Sequence, residues 1–478
     1  MLIKPLRPFA CSCVILIWLS SCAVGPDYQK PDLTSLVPAD WHWKIVDPKD
    51  ASSKGAWWKI FNDPHLDELE TLAVANNENL RAAMARVDQA RAAARLSRSQ
   101  FFPELSLDPG VRRERTSGDL PTPIPFHVPS AHLNTFSVPL DLSYEVDLWG
   151  RVRRSFESSR AQAHASVADY QNVLLTLTAD VAVNYFLARS LDLEITALRR
   201  AVELRNESAH ILTERFLAGT IPEIASAQAK TELATAKAEL VDVIRQRAEI
   251  VHALALLCGK AASVFELPEA PLAGLPVTVP VGLPSALLER RPDIARAERN
   301  LISKNAQIGS AKAAYFPALR LTGQAGYLSA EAGSLFATDS RVWSIGPAVS
   351  LPLFNAGRTT AEVRQAEASD REALADYRQT VLTAFKEVED SLVQIVLRAE
   401  EAAAQKDALL AARRVSVLGK ARYDAGVASY LEWIDAERGV LQHERATAQL
   451  LGQRFVASVR LIKALGGGWD SAADRVKP

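Results

Sequence analysis

Two stretches of this chain contain no helix breaker. From Arg151 to Ala218, and again from Arg358 to Leu418, neither glycine nor proline occurs. Inside a helix glycine costs about 1 kcal/mol and proline about 3 kcal/mol relative to alanine, so nothing in these runs opposes continuous helix. At about 1.5 Å per residue, roughly 60–70 residues make a rod near 100 Å long. Few compact domains accommodate such a rod, so the fold must be organised around it. Apolar residues recur at helical spacing, as in Val173, Leu174, Leu177, Val181 and Tyr185, while Arg199, Arg200, Glu203 and Arg205 mark solvated faces. Shorter breaker-free runs cover His65 to Phe102, Glu223 to Cys258 and Asp293 to Ile308. A hydrophobic fraction of 48% permits a large core, and its many alanines favour close, coiled-coil-like helix packing.

Between the helical runs the period changes to two. In "FSVPLDLSYEVDLWG" the residues Phe136, Val138, Leu140, Leu142, Tyr144, Val146 and Leu148 alternate with Ser137, Asp141, Ser143, Glu145 and Asp147. That is a strand with one apolar and one polar face. "WSIGPAVSLPLF" (Trp343 to Phe354) and "LRLTGQAGY" (Leu319 to Tyr327) repeat it, and "LSLDPGVRR" (Leu105 to Arg113) does so more weakly. Pro139, Pro347 and Pro352 are unusual in central strands and predict bends there.

The chain is internally duplicated. "FFPELSL" at Phe101 matches "YFPALRL" at Tyr315, and "WGR" at Trp149 matches "AGR" at Ala356. "RFLAG" at Arg215 matches "RYDAG" at Arg422, and "LLCG" at Leu256 matches "ALGG" at Ala464. The offsets stay within about 207 to 214 residues and the order is conserved between halves, as in repeat architectures. Each half reads helix, two strands, very long helix, helix. The expected division is a signal peptide over 1–21, an anchored segment over 22–62, repeats over 63–266 and 293–467, a Pro-rich linker over 267–292 and a tail over 468–478.

The N-terminus, "MLIKPLRPFACSCVILIWLSSCAVGPDYQKP", has Lys4 and Arg7 before an apolar run from Phe9 to Leu19. The run is too short to span a bilayer and reads as a secretory signal. "LSSC" fits a bacterial lipobox with Cys22 as the acylated first residue; an ordinary signal with an incidental cysteine is the alternative. Acylation at Cys22 leaves only Cys258 free in the mature chain, which excludes an internal disulfide. Ala23, rather than aspartate, after that cysteine is similar to outer-membrane lipoproteins. A net charge of -1 gives no support to a nucleic-acid partner. The eight histidines are scattered, with His127 and His132 in a Pro-rich loop. No HExxH, CxxC, GxSxG or Gly-rich phosphate loop occurs, so no enzyme, cofactor or metal centre is expected.

Four amphipathic strands in an exported chain suggest a membrane barrel, in which every backbone polar group must be paired. Four strands cannot close one, since single-chain barrels begin at about eight. Several chains must then contribute, with the long helices forming a tube that shares the barrel axis. A soluble helical rod with a small sheet also fits the alternation taken alone.

"CAVGPDYQKP" (Cys22 to Pro31), "WWKIFNDPHLDELE" (Trp57 to Glu70) and "RRPDIARAERNLISKNAQIGSAKAAYFPALRLTGQAGY" (Arg290 to Tyr327) resemble the TolC-type outer-membrane efflux lipoproteins. These are the exit ducts of resistance-nodulation-division pumps. The resemblance continues to "ALGGGW" (Ala464 to Trp469), nearly the whole chain. It implies a mainly α fold with membrane β: a homotrimer whose protomers each give four strands to a twelve-stranded barrel, continued by a periplasmic α-helical barrel. It implies strands near Leu105 to Arg113, Phe136 to Val146, Leu319 to Tyr327 and Trp343 to Leu353, with antiparallel helices beginning near Pro222 and Val427. It also implies outer-membrane lipid, a periplasmic adaptor and an inner-membrane pump as partners. A type I protein-secretion duct is the alternative within transport, and a lipid-anchored periplasmic coiled-coil scaffold the alternative outside it.

Two groups of residues stand out at the expected periplasmic tip. Gly219 and Gly426, with Arg215 and Arg422 in the preceding turns, are helix C-caps that the resemblance makes adaptor-docking tips. Glu432 and Asp435 lie three apart on one helix face, with Arg438 three further on; read alone, they are a surface pair worth about 0.2–0.5 kcal/mol. The resemblance implies an acidic ring at Asp435 and an apolar constriction at Leu431, so that Leu431, Glu432 and Asp435 form a gate. The first repeat has Ile224, Ala225 and Gln228 at the matching places, so only one repeat supplies acid.

Overall fold

The computed structural model describes residues 23–32, 55–118, 130–276 and 291–467. The expected signal peptide, Cys22, most of the anchored segment, His127, the centre of the linker and the tail lie outside the described residues.

The two breaker-free runs are single helices, α3 (Arg151–Leu217) and α6 (Arg358–Asp424), each of 67 residues. The first half adds α1 (Pro64–Asn76), α2 (Glu78–Ser99), β1 (Glu104–Leu107), β2 (Gly110–Arg115), β3 (His132–Val146) and α4 (Glu223–Leu257). The second adds α5 (Pro292–Ala313), β4 (Ala318–Ser329), β5 (Arg341–Ser350) and α7 (Tyr430–Ala464). The second half reads helix, two strands, very long helix, helix, and the first half has that order with its leading helix and its first strand each divided in two. The run from His65 to Phe102 is not one helix: Asn77 breaks it with extended backbone (ψ 122°), and its Oδ1 accepts from the Leu80 N–H at 2.9 Å, starting α2 afresh. α6 continues through Gly419 to Asp424, so that glycine does not end the helix.

The chain forms two compact units. The first takes the described residues among 23–31, 88–165 and 297–377, and holds the sheet. β1 and β2 both pair with β3, followed by β4 and β5, all antiparallel. β1 and β2 are the predicted first strand, interrupted at Asp108 and Pro109, where proline has no N–H to give the ladder. β3 begins at His132, which is therefore in a strand and not in the preceding loop. β5 stops at Ser350, short of Pro352 and the expected Leu353. The register lines up Leu142, Gly323 and Ile345 on one face, with Leu140, Ala325 and Trp343 beside them. Asp141, Gln324 and Ser344 line up on the other, where Gln324 Nε2 donates to Asp141 Oδ1 at 2.8 Å. The first described residues strap onto this unit: Val24 N–H donates to Trp149 O at 3.0 Å, and Asp27 and Arg154 pair at 2.6 Å.

The second unit takes the described residues among 32–87, 166–296 and 378–467, and is helical. Its main core explains the "WWKIF" motif: Trp57 Nε1 donates to Thr178 Oγ1 at 3.1 Å, and the Phe61 ring lies 4.8 Å from Phe186, itself 4.7 Å from Phe455. Aromatic burial of this kind supplies most of the local stability. α7 closes on α3 where Gly452 meets Ser190, whose Oγ donates to the Ala448 carbonyl at 2.9 Å. The visible linker is stapled to α3 by Asp192, which accepts from Ala270 N–H at 3.0 Å and pairs with Arg189 and Arg247. Glu70 is fully buried with neither carboxylate oxygen hydrogen-bonded, and burial, with Asp67 adding to it, pushes its pKa up to about 10.

Candidate functional site

The tips are built by the shared "R-aromatic-x-A-G" pattern. In the first hairpin Gly219 has φ +71°, its N–H donates to Phe216 O at 2.9 Å, and Thr220 N–H donates to Arg215 O at 2.9 Å. In the second, Gly426 has φ +73°, its N–H donates to Tyr423 O at 3.0 Å, and Val427 N–H donates to Arg422 O at 3.0 Å. Both are Schellman turns, whose left-handed residue favours glycine, and the two arginines supply the carbonyls that close them. The far ends of α4 and α7 close likewise at Gly259 and Gly466, so the repeat register there is one residue off the "LLCG"/"ALGG" match.

The hairpins diverge immediately after the turn. Pro222 caps α4 with no side-chain hydrogen bond, whereas Ser429 Oγ accepts from the Glu432 N–H at 3.3 Å and starts α7. This is half of a capping box, but the Glu432 carboxylate turns to Arg422 Nε at 2.9 Å instead of its own cap. Arg422, expected at a docking tip, is thus tied to Glu432, expected in a gate, across the turn. Arg215 reaches the Tyr423 hydroxyl at 3.5 Å, a long contact between the two hairpins. Leu431 is 43% exposed, while its neighbours Tyr430, Trp433 and Ile434 are buried with Leu212 and Ala229. Tyr423 stacks on Trp433 at 5.5 Å, and Lys420 Nζ lies 5.5 Å from the same indole centroid.

Asp435 and Glu432 take different ion-pair partners. Asp435 pairs with Arg438 Nη1 at 2.6 Å, and Arg438 also grips Glu232 of α4, with Nε 3.1 Å from Oε2. Seven residues on, Arg445 pairs with Glu239 at 3.1 Å and with the buried Glu194 of α3 at 2.7 Å. The sequence separation is 206 in both the Arg438–Glu232 and Arg445–Glu239 rungs, so α4 and α7 run parallel in a heptad register. Arg205, expected on a solvated face, is buried and donates to the Glu232 carbonyl at 3.4 Å. A groove of about 650 Å³ lies along this ladder, lined by Arg205, Glu232, Glu239, Arg438, Arg445 and Gln449. The Arg438 guanidinium holds the Glu232 carboxyl below the usual carboxylate range, against the opposing effect of burial. Spacing of seven in Glu232/Glu239 and Arg438/Arg445 was the one sequence signal of this ladder, and it needs the helix pairing to be read.

Cys22 lies outside the described residues, and Cys258 is buried with its Sγ 3.7 Å from the Leu69 carbonyl. Among the described residues no three His, Cys, Asp or Glu side chains gather as metal ligands, and no helix is long and apolar enough to cross a membrane.

A family model described as outer membrane efflux protein matches residues 69–260 and 283–467. The chain belongs to the outer membrane efflux protein family. It is an outer-membrane exit channel for efflux, and its relatives are channels rather than enzymes. It is 33% identical over 467 residues to the outer membrane protein OprJ of Pseudomonas aeruginosa, covering 97% of this chain and 96% of that one. It is 31% identical to the cation efflux system protein CusC of Escherichia coli, over 97% of this chain and 99% of that one. The outer-membrane channel OprN matches in structure with a TM-score of 0.84 at 30% identity, covering 94% of this chain and 100% of that one. With the family established, a periplasmic scaffold is set aside.

Proposed function

We propose that three copies of this chain close a twelve-stranded barrel, that their long helices line one tunnel, and that the tunnel passes small toxic compounds delivered by an inner-membrane pump through a periplasmic adaptor. The observation that carries this reading is the sheet. Its four ribbons have one apolar face, and β1/β2 at one edge and β5 at the other have no further strand partner among the described residues. Unpaired edges are untenable in hydrocarbon, so closure requires strands from other copies. Names among the relatives refer to toluene, solvent and cation efflux, which supports small molecules or ions as cargo over secreted protein. The repeats at 63–266 and 293–467, the linker between them and an acylated Cys22 fit the same design.

Leu431, Glu432 and Asp435 are the proposed gate, and the turns at Arg215, Gly219, Arg422 and Gly426 the adaptor-docking tips. Three-fold symmetry gathers three copies of each carboxylate at the narrowest point, where a ring of acid favours cations. Within each copy Arg422 and Arg438 partly offset that charge, so the closed tip is held by contacts that an adaptor can exchange. The pore itself supplies no chemistry and no energy. Planar-bilayer recordings of Asp435→Ala test the gate: conductance rises and cation preference falls, whereas unchanged conductance and selectivity would sink the assignment.

A further inference from the structure

The membrane-facing side of the sheet carries charge at one end only. Strand register and alternation place on this face Leu105, Leu107 and Val111 of β1 and β2, the even residues from His132 to Val146 of β3, and the odd residues of β4 and β5. No carboxylate is among them. Glu104, Glu114, Asp141 and Glu145 all fall on the opposite face, as do Arg112 and Arg320. The membrane-facing charges are Arg113 and Arg115 at the end of β2, Arg341 at the start of β5, and His132 when protonated. All four lie at the end of the sheet away from the helices, since β3 and β5 run from there toward α3 and α6.

These cations are unspent. Arg113, Arg341 and His132 have no side-chain partner among the described residues, and Arg115 makes one long contact to Ser130 Oγ at 3.4 Å. By contrast Arg112, on the other face, pairs with Glu114 at 3.3 Å. Beneath Arg341 on the same face sits Trp343, 79% exposed, where an aromatic girdle residue belongs. β4 has nine residues from Leu319 up to Tyr327, the partner of Arg341 at this level. At about 3.3 Å each and a tilt near 40° they span roughly 23 Å, the height of an outer-membrane apolar band. The arginines therefore emerge at headgroup depth.

We propose that Arg113, Arg115 and Arg341, with His132, form a basic rim that binds phosphate-bearing lipid headgroups in the outer leaflet. Guanidinium forks suit phosphate oxygens bidentately, and a face with no acid repels no anion. The ligand class is an amphiphile with its acyl chains along the apolar band and its phosphomonoester at the rim. This rests on the reading of the sheet as a membrane barrel, and the test separates the two.

Trp343 is the probe, and because the chain has nine tryptophans its signal is taken as the difference between the channel and its Trp343→Phe variant. The purified full-length channel is reconstituted in dibrominated phosphatidylcholine with or without dibrominated phosphatidic acid, and tryptophan quenching gives the relative association constant at the rim. Wild type is expected to favour phosphatidic acid about fivefold, the scale of one basic residue at an anionic surface. High salt reduces this preference, and the triple variant Arg113→Gln, Arg115→Gln, Arg341→Gln brings it to about one. Equal quenching by both lipids in wild type, or an unchanged preference in the variant, overturns the rim. Absence of quenching by phosphatidylcholine itself overturns the barrel reading instead. Quenching of the variant by phosphatidylcholine at the wild-type level shows that its barrel is intact.

Discussion

The two hairpins of the helical unit share a turn and differ in the first helical turns beyond it. α3 and α4 meet at Gly219, α6 and α7 at Gly426, with the same hydrogen bonds and φ values within 2°. After the turn the first hairpin offers Ile224, Ala225 and Gln228, while the second offers Leu431, Glu432 and Asp435. Duplication preserved the backbone, and divergence placed exchangeable ionic contacts on one copy. The first hairpin is nonetheless acidic where it counts: its Glu232 receives Arg438, so the second hairpin is held by its own turn and by its neighbour. An ion pair at the rim of a turn is weak, whereas one with a buried partner is costly to break.

The sharpest way to break the comparison is Arg438→Ala. It leaves Glu232 buried with Arg205 as its nearest cation, 3.7 Å away. Apparent thermal stability of the detergent-solubilised channel falls by about 2–3 kcal/mol, below the full cost of an unpaired buried charge because Arg438 is itself half-exposed. The mirrored change in the first hairpin, Thr231→Ala, has no comparable effect; equal losses would mean that the hairpins are not distinguished by the ladder.

Next in size, Gly219→Ala and Gly426→Ala each cost about 1–2 kcal/mol, since an L side chain is strained in the left-handed region. Matching losses confirm a shared turn; a difference beyond about 0.5 kcal/mol would separate the tips geometrically.

Acid probes the ladder without mutation. The Glu232 pKa is lowered in the folded state, so its contribution is complete above the unfolded value, about 4.3, and is lost as pH falls through the lower folded value. Glu70 has the opposite sign. Its pKa is raised to about 10, so it subtracts stability progressively as pH rises from about 4.3 to that value. Unfolding midpoints against pH should therefore be compared in Glu70→Gln, which is itself more stable at pH 8 by about 1–3 kcal/mol. In that background stability stays flat from about pH 5 to pH 8, below the range where the buried Cys258 thiol, pushed up to about 11, begins to subtract, and it drops below pH 4. Persistence of the drop in an added Glu232→Gln variant would assign it to another carboxylate.

The smallest effect is expected from Glu432→Gln. An exposed pair with Arg422 contributes about 0.2–1 kcal/mol, so the midpoint barely moves. Single-channel conductance is the sensitive readout, and it should rise although stability does not.

Long helices, alternating strands, the duplication and the tip glycines were legible in the chain because each depends on local periodicity or on a backbone conformation that few residues adopt. The interruption at Asp108 and Pro109, inside a strand expected to run unbroken from Leu105 to Arg113, was seen only in the pairing with β3, and the break at Asn77 required seeing its side chain choose α2 over continuity. Glu432 and Asp435, the proposed gate carboxylates, were visible as charges but their partners were not. Arg422 lies 10 positions from Glu432, and Glu232 lies 206 from Arg438, so only packing of the hairpins could join them. For the same reason Arg205 read as a solvated residue until α4 covered it. The sequence alone determined the elements and their order, since helix and strand periods are properties of short segments. Which charges are buried, which are paired and which stand on the apolar face of the sheet without a partner among the described residues was decided by tertiary structure, because desolvation and Coulomb attraction depend on distances that the chain order does not contain.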